Sequence, residues 1–375
     1  MRSLIIAALL LLALTVVAAC YPIVTPPGPT PEPLVPTPLP SSRATATPHP
    51  APSPAAPSPA APVTQSLRSG DRARVGVGLP LGAIEDYDWG QGAPGWYLNW
   101  RVMPDPPQPE GIRFAQMVRI RADGFRPTLD VITAAARANP GALWLIGNEP
   151  DVIWQDNATP EQYAASYGVL YQAIKAADPT AQVAIGGVSQ PTPLRMAYLD
   201  RILAAYRAQY GGEMPVDVWN VHAFILREES DSWGVGIPPG MAVDRGQLYE
   251  ISDHADMAIF RRQIEDFRRW MAERGWRDKQ LIVTEYGVLM PESYGFPPEL
   301  VGQFMTDTFD YFLTARDPDT GYPADDDRLV QAFCWYSVAD TDAPNHYPTP
   351  NLFDPQTRAV TAVGEVFRDY VAGLR

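Results

Sequence analysis

The sequence is poor in the residues that metal and redox chemistry require. Its 375 residues include two cysteines, Cys20 and Cys334, and four histidines. Cys20 ends an apolar leader, so Cys334 has no partner for an intramolecular disulfide. The histidines stand far apart in the chain, at His49, His222, His254 and His346. A hydrolytic metal centre in a barrel needs several His and Asp ligands at strand ends, so we expect no metal and no cofactor.

Motifs of several other enzyme classes are also missing. No Gly-rich phosphate loop follows a strand-like run, and no Gly-x-Ser-x-Gly elbow is present. The 29 Lys and Arg residues are outnumbered by 43 Asp and Glu, which gives a net charge of −14. Because no basic run offsets this acidity, a nucleic-acid partner is disfavoured, and the charge favours solubility.

The N-terminal segment has the pattern of an export signal. Residues 1–19 carry Arg2 as their only charge and an apolar run from Leu4 to Val17, which is short for a membrane span. The junction Val17-Ala18-Ala19-Cys20 resembles the lipobox of bacterial lipoproteins. That resemblance implies that Cys20 becomes the lipidated first residue and that the protein is extracytoplasmic, anchored to the bacterial membrane or cell surface. The alternative is an ordinary signal peptide with a chance cysteine.

Residues 20–66 have the composition of a linker. Tyr21 to Ser66 contains 16 of the 41 prolines, interleaved with Ala, Ser and Thr. Such a segment cannot bury enough apolar surface to form a core, so we expect a disordered, polyproline-like tether. Fully extended at about 3.1 Å per residue, it would reach roughly 140 Å.

Residues 67–375 form one folding unit by length, since roughly 300 residues suit a single large α/β barrel. Short apolar, strand-like runs alternate there with runs of helical period. Eight such strands are predicted, which is the barrel number: Val75 to Leu79, Trp96 to Trp100, Phe114 to Val118, Leu143 to Ile146, Val183 to Gly186, Val216 to His222, Leu281 to Thr284 and Val330 to Tyr336. The prediction is a (β/α)8 TIM barrel of the α/β class.

Helices are predicted between most of these strands. The clearest begins at Thr159-Pro160-Glu161-Gln162, a capping box with Pro in the first turn, and ends before Asp178-Pro179. Further helices are predicted near residues 196–206, 257–271, 128–139, 300–314 and 360–371. The first two βα units, Gly82 to Gly95 and Val102 to Ile112, lack helical period and should be irregular.

Two of the predicted strands end in the same way. Leu143 to Ile146 stops abruptly at Gly147, Asn148 and Glu149, and Leu281 to Thr284 is followed directly by Glu285. In a barrel the C-terminal ends of the strands carry the chemistry, and glycoside hydrolysis needs a pair of carboxyl groups. For Glu149 alone, the alternative is a residue that caps the turn before Pro150.

With these residues the chain resembles glycoside hydrolase clan A, the retaining (β/α)8 glycosidases. The matching motifs are Asn148-Glu149-Pro150 after strand four and Thr284-Glu285-Tyr286-Gly287 after strand seven. The resemblance implies that Glu149 is the acid/base, Glu285 the nucleophile, and Asn148 the amide that holds the sugar's 2-hydroxyl. It also implies cleavage of β-glycosidic bonds in oligo- or polysaccharides by double displacement.

The resemblance extends to two further strand ends. His222 ends strand six, where clan A enzymes often place a His or Tyr beside the nucleophile; the alternative is a satisfied core histidine. Trp335 ends strand eight and resembles the aromatic that floors the sugar site. Alternation along the strand would then direct Cys334 towards the helices.

The loop from Phe224 to Asp253 is long for a βα connection, which predicts a wall or lid over the substrate cleft. Trp233 in this loop, Trp154 after Glu149, and Tyr286 offer aromatic surface for sugar rings. For each of these aromatic residues taken alone, the alternative to sugar binding is that the ring packs within its own loop.

Two hypotheses follow. The first is an anchored, monomeric retaining glycosidase with a carbohydrate substrate; the second is a lipoprotein that binds carbohydrate on the same barrel without cutting it. A transglycosylase also stays open, because it shares the covalent intermediate. The sugar, the linkage and exo or endo action are not predicted.

Overall fold

The computed structural model of the protein describes residues 70–341 and 350–374. The predicted signal peptide of residues 1–19, the lipidation site Cys20 and the linker of residues 20–66 lie outside the described residues. Within the described part, no helix combines the length and the apolar character needed to cross a membrane.

One sheet of ten strands forms the centre of the domain. The strands are β1 (Val75–Gly78), β2 (Trp96–Leu98), β3 (Arg113–Phe114), β4 (Gln116–Arg121), β5 (Gly124–Arg126), β6 (Leu143–Asn148), β7 (Gln182–Gly187), β8 (Val218–His222), β9 (Gln280–Tyr286) and β10 (Ala332–Trp335). Their order across the sheet is β3-β2-β1-β10-β9-β8-β7-β6-β4-β5.

The sheet closes into a barrel at Ala115. β3 and β4 are two halves of one chain segment interrupted at this residue; β3 pairs in parallel with β2, and β4 in parallel with β6. The Ala115 N–H still donates to the Tyr97 carbonyl at 2.9 Å. β5 adds an antiparallel hairpin strand to β4. The predicted eight-stranded parallel barrel is therefore confirmed, with β6 as its fourth strand and β9 as its seventh.

Six α-helices of the described residues surround the barrel: α1 (Leu129–Ala138), α2 (Pro160–Ala177), α3 (Pro193–Tyr210), α4 (Met257–Glu273), α5 (Pro298–Thr314) and α6 (Ala362–Ala372). The predicted capping box at α2 is present, since Thr159 and Gln162 exchange side-chain hydrogen bonds with each other's backbone N–H. In the first two βα units the structure has only short 3-10 turns, Ile84–Asp86 and Pro109–Gly111. Their predicted irregularity is confirmed.

The barrel has two apolar layers, one in its interior and one between the sheet and the helices. For β10, the sequence prediction assigned the side chains to the wrong layers. Cys334 lies in the interior cluster with Leu145 and Ile282, although it was predicted to face the helices. Phe333 and Trp335 instead pack outward against Phe309 of α5. The physical reason is space: the narrow interior takes Cys334, whereas two large rings fill the wider gap between sheet and helices.

Candidate active site

Two glutamates and a histidine converge at the C-terminal end of the barrel. Glu149 follows β6 directly, Glu285 lies in β9, and His222 ends β8. One carboxylate oxygen of each glutamate and an imidazole nitrogen all lie within 4.8 Å of one another. Where one carboxyl group attacks the sugar carbon directly, the two groups lie roughly 5 to 5.5 Å apart. The two glutamates are close enough for such an attack.

The backbone at Glu149 has an unusual conformation. Glu149 has φ 44°, in the left-handed region that non-glycine residues seldom adopt. Its N–H donates to the Gly187 carbonyl at 3.0 Å. The buried carboxylate of Asp156 accepts from the N–H groups of Asn148 at 2.7 Å and Ile120 at 2.8 Å. These bonds fix the end of β6, and strain of this kind concentrates at functional sites.

A β-bulge directs Glu285 into the site. Val221 pairs with Val283 but His222 pairs with Glu285, so Thr284 is an extra residue in β9. Its hydroxyl donates to Asn220 Oδ1 at 2.9 Å. Bulges next to active sites re-aim side chains in this way.

Beyond the bulge, Tyr286 returns to the helix side of the sheet. It is fully buried and packs against Phe260, Phe312 and Trp335. Two predictions are therefore corrected, because neither Tyr286 nor Trp335 can present its ring to a sugar. A bulge shifts the alternation of side chains by one residue, and its presence is not visible in the sequence.

His222 lies between the two glutamates rather than in an apolar core. Its Nδ1 is 3.0 Å from Glu149 Oε1 and its Nε2 is 3.6 Å from Glu285 Oε1. Burial lowers the pKa of His222, but the charges of Glu285 and Glu149 outweigh burial and raise it overall. A side chain at position 187 would collide with the ring, since a Cβ on Gly187 would lie 2.4 Å from His222 Cδ2.

The pKa values of His222 and Glu285 are both raised by their surroundings. Burial raises the pKa of Glu285 to about 7, with the His222 charge acting against this rise and the Glu149 charge adding to it. Glu285 and His222 lie close enough to titrate as a pair, so a proton is available within the site near pH 7. Acid catalysis needs such a proton.

Trp100 was not predicted as a site residue. Its indole Nε1 donates to Glu285 Oε1 at 2.7 Å. Its ring meets the Tyr336 ring edge-on, with centroids 5.9 Å apart. Tyr336 also contacts Phe224 and donates its hydroxyl to Asp340. Tyr336 is thus the aromatic residue beside the glutamates at the end of strand eight, one residue beyond the predicted Trp335.

The remaining predicted residues lie at different depths. Asn148 is buried, and its Oδ1 has no hydrogen-bond partner in the described part of the chain. Trp154 is 60% exposed on the turn after Glu149. Trp233 is half-buried and packs against a small apolar cluster that includes Val152 and Phe224. Of the predicted aromatic residues, Trp154 therefore offers the most open ring.

The loop from Phe224 to Asp253 is tied down by buried charges. Arg195 of α3, fully buried, donates to Asp151 Oδ2 at 2.7 Å and to Glu228 Oε1. Glu228 also accepts from the Gln247 N–H at 2.6 Å. Removing one partner of such a buried ionic set is strongly destabilising. The buried anchor favours a fixed wall over a movable lid.

Within residues 70–341 and 350–374, Glu149, His222 and Glu285 are also the group close enough to hold a metal ion. The imidazole directs one nitrogen to each glutamate, and such an arrangement also allows protons to pass between the ring and the carboxyl groups.

No protein-family model matches the chain, and no curated protein matches it. Solved structures with a similar fold are endo-β-1,3-glucanases of family GH128 from Pseudomonas viridiflava (18% identity, TM-score 0.53, 79% of this chain and 97% of that chain) and Amycolatopsis mediterranei in complex with laminarihexaose (17%, 0.51, 79% and 99%). A GH128 curdlan-specific exo-β-1,3-glucanase from Blastomyces gilchristii, in complex with glucose, is also similar (17%, 0.53, 80% and 99%). At such identities the likeness shows that this chain has the fold of these (β/α)8-barrel enzymes.

Proposed function

We propose that the protein is a retaining glycoside hydrolase that cleaves β-glycosidic bonds of oligo- or polysaccharides. The observation that carries the proposal is the approach of one oxygen of Glu149 and one of Glu285 to within 4.8 Å, with His222 between them. Retaining enzymes have carboxyl groups roughly 5 to 5.5 Å apart, whereas inverting enzymes need roughly 6.5 to 9.5 Å to admit a water.

In the first step Glu285 attacks the anomeric carbon while Glu149 gives its proton to the leaving glycosidic oxygen. The C–O bond to the leaving group breaks, and a covalent glycosyl ester forms on Glu285. In the second step Glu149, now ionised, takes a proton from water, and the water oxygen displaces Glu285. Between the steps, the His222 imidazole can accept or donate a hydrogen bond as the charge on Glu149 changes.

β-1,3-Glucan is the first substrate to test. The solved proteins of similar fold are β-1,3-glucanases, and one of them holds laminarihexaose. Two features of this chain support a sugar ligand independently. The buried Oδ1 of Asn148 has no partner among the described residues and could accept a hydrogen bond from a sugar hydroxyl. The exposed Trp154 ring offers a stacking surface.

We also propose that the enzyme is extracytoplasmic and lipid-anchored through Cys20. The Val17-Ala18-Ala19-Cys20 junction and the Pro-rich stretch after it support this. Mass spectrometry of the N-terminal peptide tests this; an unmodified mature chain that starts elsewhere would refute it.

An assay of the soluble domain against laminarin, other β-glucans and aryl β-glycosides tests the activity. We expect hydrolysis by the wild type and none by Glu285→Gln, a matched variant that keeps the shape of the side chain. Binding without hydrolysis in both proteins would favour a carbohydrate-binding lipoprotein. Products longer than the substrate would instead favour a transglycosylase.

A further inference from the structure

The two glutamates are chemically alike, and one neighbour distinguishes them. We propose that Trp100 is the positioning residue that gives Glu285 the role of nucleophile and leaves Glu149 the role of acid/base. This inference rests on the proposed glycosidase function and deepens it.

The hydrogen-bond partners of the two carboxylates differ in kind. Glu285 Oε1 accepts from the Trp100 indole N–H at 2.7 Å. Glu149 Oε1 contacts His222 Nδ1 at 3.0 Å, and an imidazole nitrogen can either donate or accept a hydrogen bond. An indole N–H can only donate. His222 can therefore hydrogen-bond to Glu149 whether that carboxyl is protonated or ionised. Trp100, in contrast, favours the ionised form of Glu285.

This difference decides where the shared proton lies. A hydrogen bond to a carboxylate is roughly twice as strong as one to a neutral carboxyl group, and more so in a dry site. Protonation of Glu285 would weaken that bond, so the bond disfavours protonation of Glu285. The Trp100 hydrogen bond therefore lowers the pKa of Glu285 and favours its ionised form, which is the form able to attack. The Glu285 carboxylate has the further advantage that its bonded Oε1 is fixed, which leaves Oε2 for the anomeric carbon.

Trp100 is held rigidly enough for this role. Its backbone has φ 58°, a left-handed conformation that is rare for a large side chain. The ring packs on the barrel interior cluster, and a Cβ on Gly78 would lie 3.0 Å from Trp100 Cη2. Tyr336 covers the ring edge-on from another side. The indole N–H is consequently pre-aligned with Glu285.

The test is Trp100→Phe, which keeps an aromatic ring and removes the N–H. Without that donor, Glu285 protonates at higher pH, so the acidic limb of the pH profile of kcat/KM should move up by about one unit. Below that limb kcat/KM should fall about tenfold, mainly through kcat. An acidic limb that stays in place would overturn the proposal.

Trp96→Phe is the matched control. Trp96 begins β2, and its indole Nε1 donates to the Arg74 carbonyl at 3.1 Å, at the other end of the barrel. Its replacement likewise removes an indole hydrogen bond from a ring that packs in the barrel interior. The acidic limb should stay in place in Trp96→Phe. If it moves as far as in Trp100→Phe, the effect is general and the proposal is wrong.

A measurement on the wild type tests the contact between Trp100 and Glu285 even if the tryptophan variants fail to fold. In ¹⁵N-tryptophan-labelled protein, one of the ten indole signals should shift as Glu285 titrates, and this shift should disappear in Glu285→Gln. No indole response to Glu285→Gln would refute the contact. The two proposals fail separately: absence of turnover in the wild type refutes the function, whereas retained turnover with an unmoved limb in Trp100→Phe refutes only the role of Trp100.

Discussion

His222 Nδ1 lies 3.0 Å from Glu149 Oε1, while the other nitrogen of the same ring lies 3.6 Å from Glu285 Oε1. The imidazole therefore couples the two carboxyl groups electrostatically, so a change of charge on one of them changes the electrostatic environment of the other. Because burial excludes water from all three groups, these interactions are strong. Proton movement within the three is the basis of the proposed acid/base chemistry.

The buried His254 makes stability depend on pH. Leu289 N–H donates to its Nε2 at 2.8 Å and its Nδ1 is 2.9 Å from the Ile225 carbonyl, so the ring is neutral with its proton on Nδ1. Burial lowers the pKa of His254 to about 4, whereas an unfolded histidine has a pKa of about 6.5. Below pH 6.5 the unfolded chain therefore binds a proton that the folded chain does not.

The contribution of His254 to the free energy of unfolding is therefore complete above about pH 6.5. It is lost as the pH falls towards 4, and the total loss is about 3 kcal/mol. His254→Gln lacks the titrating group and should lack this part of the pH dependence. Urea unfolding of both proteins between pH 7.5 and pH 4 measures it. The gap between their unfolding free energies should shrink by about 3 kcal/mol on acidification; a constant gap would contradict the assignment.

The buried ionic anchor of the wall predicts a large cost for its removal. Arg195→Met leaves the carboxylates of Asp151 and Glu228 buried without their cation, which should lower the unfolding free energy by about 3–5 kcal/mol. Arg274→Met is the matched control, because Arg274 pairs with the partly exposed Asp200 and should cost about 1 kcal/mol or less. Denaturant unfolding compares them, and equal losses would show that burial of the pair is not the cause.

Two tryptophans should separate binding from folding. Trp154→Ala removes a ring that is 60% exposed, so we expect KM for long oligosaccharides to rise about tenfold, equal to the loss of roughly 1.4 kcal/mol, with little change in stability. Trp335→Ala removes a fully buried ring and should cost about 3–5 kcal/mol of stability.

Kinetics on a series of oligosaccharide lengths and thermal unfolding measure both effects. In the folded fraction of Trp335→Ala, KM should change little. If that variant instead raised KM without loss of stability, the ring would belong to the sugar site after all.

The sequence was sufficient for the barrel and for the pair of strand-end glutamates. Apolar runs such as Leu143 to Ile146 stop abruptly before Asn148 and Glu149, and this local pattern marks both the strand and the strand end at which its glutamate lies. His222 could be placed for the same reason. Apolar runs in the sequence thus indicate where each strand of the barrel lies.

What the sequence could not provide depends on irregular backbone and on distant contacts. The bulge at Thr284 shifts the side-chain alternation, so Tyr286 was predicted on the wrong side of its strand. Trp100 and Glu285 are separated by 185 positions. β2 ends at Leu98, and the left-handed turn at Trp100 that creates their contact has no simple sequence signature.

The most direct test of the proposed mechanism is the anomeric configuration of azide products, measured by NMR. With an aryl β-glycoside whose leaving group needs no protonation, Glu149→Ala should still form the intermediate, and added azide should convert it to a β-glycosyl azide of retained configuration. Glu285→Ala should lose turnover on every substrate and, if azide reacts at all, give the inverted product. Retained azide product from Glu285→Ala in place of Glu149→Ala, or inverted first product from the wild type, would contradict the roles assigned to the two glutamates.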